Sequence, residues 1–119
     1  MAQFPLQIAQ TEPASGVLLA TLSGAILLGP ESECIEALIR EGLHAGKRAF
    51  VFDLTEVKKI DSTGIGRFIS AYNLVLKANA ELRLVCQPGL ILKSFQVTRL
   101  DSVFRIFASL DEALGSINQ

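Results

Sequence analysis

Short apolar runs alternate with segments of helical periodicity along this chain, and this alternation constrains the fold more than any other feature. The predicted strands are residues 3–10, 17–24, 48–54, 81–86 and 103–107, and the predicted helices are residues 29–46, 63–78, 87–100 and 109–118. Strands that alternate with helices form right-handed crossovers and a largely parallel sheet. We therefore predict one α/β domain over residues 1–119, with a mostly parallel mixed sheet, an N-terminal antiparallel edge strand and about four helices.

Local signals predict where the helices begin and end and which faces they bury. Pro30 suits a first helical position, and Gly46 and Asn79 are expected to end the first two helices. Ser109, with Glu112 three residues later, predicts a capping box for the last helix. The residues expected to face the core are Ile35, Leu38 and Ile39 of the first helix, Ile65, Phe68, Ile69, Tyr72 and Leu76 of the second, and Leu90, Ile91 and Phe95 of the third.

Composition excludes several functional classes. The formal net charge is −1 and the charges are mixed, whereas a nucleic-acid-binding domain usually carries a basic excess. The longest apolar stretches contain Thr21, Ser23 and Gly24 and are too short to span a bilayer, so no direct membrane insertion is expected. The first ten residues do not resemble a signal peptide. We expect a cytoplasmic protein that does not bind nucleic acid.

Cysteine and histidine are too few to support metal, disulfide or triad chemistry. Cys34 and Cys86 are the two cysteines, and each is expected to act as a small buried hydrophobe in a reducing compartment. The single histidine, His44, lies near a predicted helix C-terminus, where a partial positive charge is favourable. We therefore expect no metal site and no catalytic residues.

Residues 60–68, "IDSTGIGRF", concentrate small polar groups between apolar runs. They follow the predicted strand 48–54 at the start of the second helix, where unpaired amides and the helix dipole favour anions. Asp61 or Ser62 can cap this helix, and Gly64 permits a close backbone approach or relieves a clash.

The segment does not match the sequence patterns of several known functional sites. Gly64 and Gly66 do not form a dinucleotide fingerprint, and a P-loop ending is absent. Ser62 has Ile60 rather than glycine two residues before it, which argues against a nucleophile elbow. Asp53 lies near a strand end, but the paired acids of a response-regulator receiver are missing. A capped helix start and a hydroxyl that another protein phosphorylates remain as the two interpretations.

The stretch "VFDLTEVKKIDSTGIGRFISAY", residues 51–72, resembles the core motif of the STAS domain, in particular that of the bacterial anti-sigma factor antagonists. The family pattern is a strand, then D/N-L-S/T-x-V-x-x-I/M-D-S-S/T-G-L/I-G, then a helix. The residues that match it are Asp53, Leu54, Thr55, Val57, Ile60, Asp61, Ser62, Gly64 and Gly66. The order of elements agrees over essentially the whole chain, so the resemblance implies a STAS-like fold.

The resemblance also implies a non-enzymatic partner switch controlled by phosphorylation. The family phosphorylates the serine directly after the aspartate, which is Ser62 here, and Thr63 is the second candidate. Such a protein binds an anti-sigma factor that is also a serine kinase, and releases it once the serine is phosphorylated. A PP2C-type phosphatase resets the switch. Because the ATP belongs to the kinase, no cofactor is expected on this chain.

The partner surface is expected around the start of the second helix. The residues assigned to it are Leu27, Asp61, Ser62, Thr63, Gly64, Ile65 and Arg67, with Asn73 as a further outward-facing candidate. The family usually has G-x-L-D after the second strand, whereas "GAILLGP", residues 24–30, places Leu27 at the position of the aspartate. This replacement makes the expected partner surface more apolar.

The same fold has other uses, so two further hypotheses stay open. The chain is alternatively a constitutive interaction module of a stressosome-like assembly or of an ABC lipid-transport complex. An enzyme is the least favoured hypothesis, because the acid and base partners of a catalytic site are missing. We expect a monomer or a weak homodimer.

Overall fold

Five strands form one mixed sheet in the computed structural model of the protein, which describes residues 5–117. The strands are β1 (Gln7–Ala14), β2 (Val17–Ile26), β3 (Ala49–Ile60), β4 (Glu81–Val85) and β5 (Arg105–Phe107). They lie side by side in chain order; β1 pairs antiparallel with β2, and all other pairs are parallel. The predicted mostly parallel sheet with an antiparallel N-terminal edge strand is confirmed.

Residues 5–117 contain four α-helices, in agreement with the predicted number. They are α1 (Cys34–His44), α2 (Ser62–Lys77), α3 (Leu90–Val97) and α4 (Leu110–Gly115), with 3₁₀ turns at Pro30–Glu33 and Leu100–Ser102. The Ser109 side chain accepts a hydrogen bond from the Glu112 amide at 3.2 Å, which confirms the predicted cap of the last helix. Residues 3 and 4 of the predicted first strand and residue 118 of the predicted last helix lie outside the described residues.

The main core lies between one face of the sheet and helices α1, α2 and α3. Its centre is a series of edge-to-face aromatic contacts: Phe52 meets Phe68 with ring centroids 5.5 Å apart, and Phe68 meets Phe95 at 6.0 Å. Phe95 in turn meets Phe104 at 5.7 Å. Such rings bury large apolar areas, so this cluster stabilises the packing of α2 and α3 on the sheet.

The opposite face of the sheet is covered by α4. Ala113 and Ile117 pack there against buried residues of the strands, among them Val51. The buried Arg83 of β4 supports this contact, because its Nε donates to the Ser116 hydroxyl at 2.8 Å.

Strand β3 is longer than predicted, because residues 55–60 continue the strand instead of forming a connection. The register with β2 passes from Thr21↔Asp53 to Ser23↔Glu56, and later from Gly24↔Val57 to Ala25↔Lys59, so β3 accommodates two extra residues. Such β-bulges break the two-residue alternation of a strand. As a result Leu54, Val57 and Ile60, three residues apart, all contact the main core.

The edge strand β1 lies further along the chain than predicted: residues 5 and 6 precede it, and it includes residues 11–14, which lie between the first two predicted strands. Thr11 pairs with Leu19 and Ala14 pairs with Val17, so β1 contains one extra residue at 12–13. This bulge accommodates Pro13, which lacks the amide that a regular ladder requires. The turn between β1 and β2 consists of residues 15 and 16.

Several predicted core residues are exposed. Ile69 and Leu76 of α2 are 40% and 53% exposed, and Leu90 at the start of α3 is 80% exposed. Ala71 and Val75 are buried in α2, so its inward face is rotated by about one residue from the predicted one. Cys34 is exposed and Cys86 is buried, so the prediction of a buried thiol is wrong for Cys34 and confirmed for Cys86.

Candidate functional site

The carboxylate of Asp61 joins the start of α2 to the loop between β2 and α1. Its Oδ1 accepts a hydrogen bond from the Gly64 amide at 2.8 Å, which caps the helix. Its Oδ2 accepts from the Leu28 amide at 2.9 Å. Of the two caps that the sequence allows, the structure contains Asp61, and this residue also holds a loop that is distant in sequence.

The close packing of α2 on the end of β2 brings these two segments together. The Asp61 amide donates to the Ile26 carbonyl at 3.2 Å and so continues the ladder of β3. A Cβ on Gly64 would lie 2.3 Å from the same Ile26 oxygen and 2.7 Å from Cγ1 of Ile60. Only glycine fits this position without a shift of the backbone, so Gly64 sets the distance between α2 and the sheet.

Asp61 is an acceptor whose pKa lies below its ordinary value. Partial burial acts to raise this pKa, but the amides of Gly64, Leu28 and Thr63 stabilise the carboxylate, and together they outweigh the effect of burial. The side chain is therefore ionised at neutral pH, which preserves its capacity to accept from both segments.

Ser62, the predicted phosphoacceptor, is the first residue of α2 and is exposed to solvent. Within residues 5–117, no side-chain hydrogen bond joins its hydroxyl to another group of the protein. Thr63 is half-buried. A dianion placed on Ser62 would stand at the positive end of the helix dipole, which favours negative charge by roughly 0.3–1 kcal/mol.

The loop after β2 presents two leucines beside this helix start. Leu27 is half-buried, whereas Leu28 is 77% exposed. The turn that follows contains Gly29 with a φ of 147° and then Pro30, which begins the 3₁₀ turn. Sequence reasoning missed Leu28, because its significance depends on the hydrogen bond to Asp61.

Arg67 points toward α1 and holds the same loop from its other end. Its Nε donates to the hydroxyl of Ser32 at 3.0 Å, and its Nη1 pairs with Glu36 at 3.3 Å. Ser32 is 1% exposed, and its hydroxyl donates to the Gly29 carbonyl at 3.0 Å. Arg67 was predicted as a partner contact, and the structure gives it these intramolecular contacts with the loop and α1.

The other predicted partner residues differ in exposure. Ile65 and Gly64 are buried beneath the site, while Asn73 lies exposed further along α2. Asp53 lies within β3, where its Oδ1 accepts from the amide and the hydroxyl of Thr55 at 3.0 and 2.6 Å. The exposed part of the candidate site is therefore formed by Ser62 and Leu28, with Asp61 between them.

The described residues contain neither a metal-binding cluster nor a membrane-spanning helix. Between residues 5 and 117, no cluster of three or more His, Cys, Asp or Glu side chains has a geometry that could hold a metal ion. No helix in the same part of the chain is long and apolar enough to cross a membrane.

Comparison with known proteins identifies relatives in sequence and in fold. The family model of the STAS domain matches residues 9–113. The anti-sigma-B factor antagonist of Listeria monocytogenes is 35% identical over 54 residues, which are 45% of this chain and 47% of that protein. The chain thus spans about half the length of the relative it matches.

Solved structures of two further proteins have similar folds. An anti-sigma factor antagonist from Mycobacterium paratuberculosis superposes with a TM-score of 0.81 at 21% identity, over 96% of this chain and 95% of that one. The Bacillus cell fate determinant SpoIIAA in its phosphorylated form has a TM-score of 0.73 at 16% identity, over 94% of this chain and 100% of that one. At these identities the similarity concerns the fold.

Proposed function

We propose that this chain, which belongs to the STAS domain family, is an anti-sigma factor antagonist whose partner binding is switched off by phosphorylation of Ser62. The observation that carries the proposal is the exposed Ser62 at the first position of α2, next to a cap that is already ionised. The name of the Listeria monocytogenes relative supports the same role.

The electrostatics of the site explain how a phosphate would act. A phosphoserine adds about 1.5–2 negative charges and three acceptor oxygens. The helix N-terminus tolerates this charge, so the fold of the domain is preserved. A partner that covers Ser62 would have to remove the dianion from water, which is highly unfavourable without compensating cations. Phosphorylation therefore weakens binding without unfolding the protein.

The proposed partners are those that the resemblance to the anti-sigma factor antagonists implies. The anti-sigma factor binds the unphosphorylated chain, transfers the γ-phosphoryl group of its own ATP to the Ser62 hydroxyl, and then dissociates. A PP2C-type phosphatase hydrolyses the phosphoserine and restores binding. These exchanges take place in the cytoplasm, where the sigma factor acts.

Phosphorylation by purified anti-sigma factor serine kinases of the source organism tests the proposal. Incubation of the chain with each kinase and ATP is expected to add one phosphate, measured as intact mass. Ser62→Ala should abolish this addition, and Thr63→Ala is the matched control that should retain it. If wild type stays unmodified with every such kinase, or if Ser62→Ala is still modified, the switch is refuted.

A second candidate function is a constitutive interaction module of a stressosome-like assembly or an ABC lipid-transport complex. Two neighbouring leucines favour it: the half-buried Leu27 stands at the position of the usual family aspartate, and Leu28 beside it is exposed. The affinity of the Ser62→Asp variant for a protein that binds the wild-type chain separates the two functions. The switch requires this affinity to fall below that of wild type, whereas the constitutive module requires the two affinities to be equal.

A further inference from the structure

Leu28 is an exposed leucine whose backbone is held by a hydrogen bond to Asp61. Its side chain is 77% exposed, although single exposed leucines are common on protein surfaces. What distinguishes Leu28 is its backbone, whose amide donates to Asp61 at 2.9 Å. The next residue, Gly29, is held through its carbonyl by the hydroxyl of the buried Ser32.

Both supports of the loop come from α2. Asp61 is the N-cap of that helix, and Arg67, one and a half turns further on, donates to Ser32. Since the loop is already ordered, binding through Leu28 would lose little conformational entropy. A leucine side chain on such a loop can bury its apolar area in a partner pocket at a low cost in ordering.

Leu28 also lies where the proposed switch can act on it. The Leu28 amide donates to the carboxylate of Asp61, and Asp61 directly precedes Ser62. We expect a partner pocket that closes over Leu28 also to approach Ser62 and to exclude water there. A phosphate on Ser62 would stay hydrated only if the partner's pocket did not close over Leu28. Phosphorylation of Ser62 and insertion of Leu28 into the pocket therefore exclude each other.

We propose that Leu28 is the anchor of the partner surface and that its side chain inserts into an apolar pocket of the anti-sigma factor. This inference rests on the proposed function. Asp61 acts as a positioning residue, since its carboxylate holds the Leu28 backbone. Arg67 supports the opposite end of the loop through the hydroxyl of Ser32.

Isothermal titration calorimetry with a purified anti-sigma factor serine kinase that binds the wild-type chain tests the anchor. Leu28→Ala is expected to raise the Kd about 10- to 100-fold, as for truncation of a buried leucine at an interface. Leu76→Ala is the matched control, because Leu76 is also exposed but lies about 20 Å further along α2. It should change the Kd by less than about twofold.

A double-mutant cycle tests the positioning role of Asp61. Asp61→Asn retains only one oxygen and cannot accept from both amides. It is expected to weaken binding in the wild-type background and to have little further effect in the Leu28→Ala background. Circular dichroism at the titration temperature must show that each variant is folded. Equal effects of Asp61→Asn in both backgrounds would refute the positioning role.

The remaining outcomes distinguish the inference from the proposed function. Unchanged affinity of Leu28→Ala for a kinase that binds wild type refutes the anchor and leaves the proposed function intact. If Leu28→Ala instead changes only the self-association of the chain, measured by light scattering, the surface serves a second copy and the anchor is again refuted. If no anti-sigma factor serine kinase of the organism binds wild type, both fail.

Discussion

Substitution of Gly64 by alanine tests whether close packing of α2 on the sheet builds the site. The new Cβ would lie 2.3 Å from the Ile26 carbonyl oxygen, about 1 Å short of an ordinary carbon–oxygen contact. A backbone carbonyl cannot rotate away as a side chain can. The start of α2 must therefore move outward, which disturbs the Asp61 amide bond to Ile26 and the cap on residue 64.

The expected magnitude combines three contributions. Overpacking costs about 1–3 kcal/mol, and a weakened cap costs about 1 kcal/mol. Alanine in place of a helical glycine returns about 0.5–1 kcal/mol. Gly64→Ala should thus lower the free energy of unfolding by about 1–3 kcal/mol and lower the Tm by roughly 4 °C for each kcal/mol.

Gly66 provides the matched control within the same helix. A Cβ on Gly66 meets no atom within 4 Å, so Gly66→Ala should be neutral or stabilising by up to about 1 kcal/mol. Urea and thermal unfolding followed by far-UV circular dichroism measures both variants, because the chain contains no tryptophan. A Gly64→Ala variant as stable as wild type, or a Gly66→Ala variant equally destabilised, would refute the packing argument.

Two further predictions concern titrating groups. The folded-state pKa of Asp61 is lowered, so its stabilising effect is fully present above about pH 4 and is lost as pH falls through the folded pKa. Urea unfolding at several pH values should show a stability deficit of Asp61→Asn that shrinks below about pH 4; a constant deficit would contradict the linkage. Burial, and then the charge of Asp53, raise the pKa of Cys86 to about 11, so iodoacetamide at pH 8 should label only Cys34 in the folded protein and both thiols in urea. Equal labelling of the folded protein would show that Cys86 is accessible.

The sequence predicts the order of elements because that information is local. Apolar runs, Pro30 at a helix start and the cap of Ser109 act within a few residues, and the structure contains each of them. The prediction of β3 fails at its bulges, where the spacing of Leu54, Val57 and Ile60 is three instead of two. An alternation of two residues cannot identify a strand that accommodates extra residues.

The inward face of α2 shows a second limit. Ile69 and Leu76 are larger and more apolar than Ala71, so periodicity assigns them to the core. In the structure the small residues Gly64 and Ala71 are buried because they allow α2 to approach the sheet closely. Hydrophobicity alone does not reveal such a preference for small residues.

For the candidate site, the sequence by itself determined the motif around Ser62, the start of α2 and the presence of a capping acid. Only the tertiary structure decided which distant residues they contact. Asp61 meets Leu28 across 33 residues of chain, and Arg67 meets Ser32 across 35. Local sequence patterns do not predict such pairs. The pairs form because β2 and β3 end at the same edge of the sheet and α2 packs beside these strand ends.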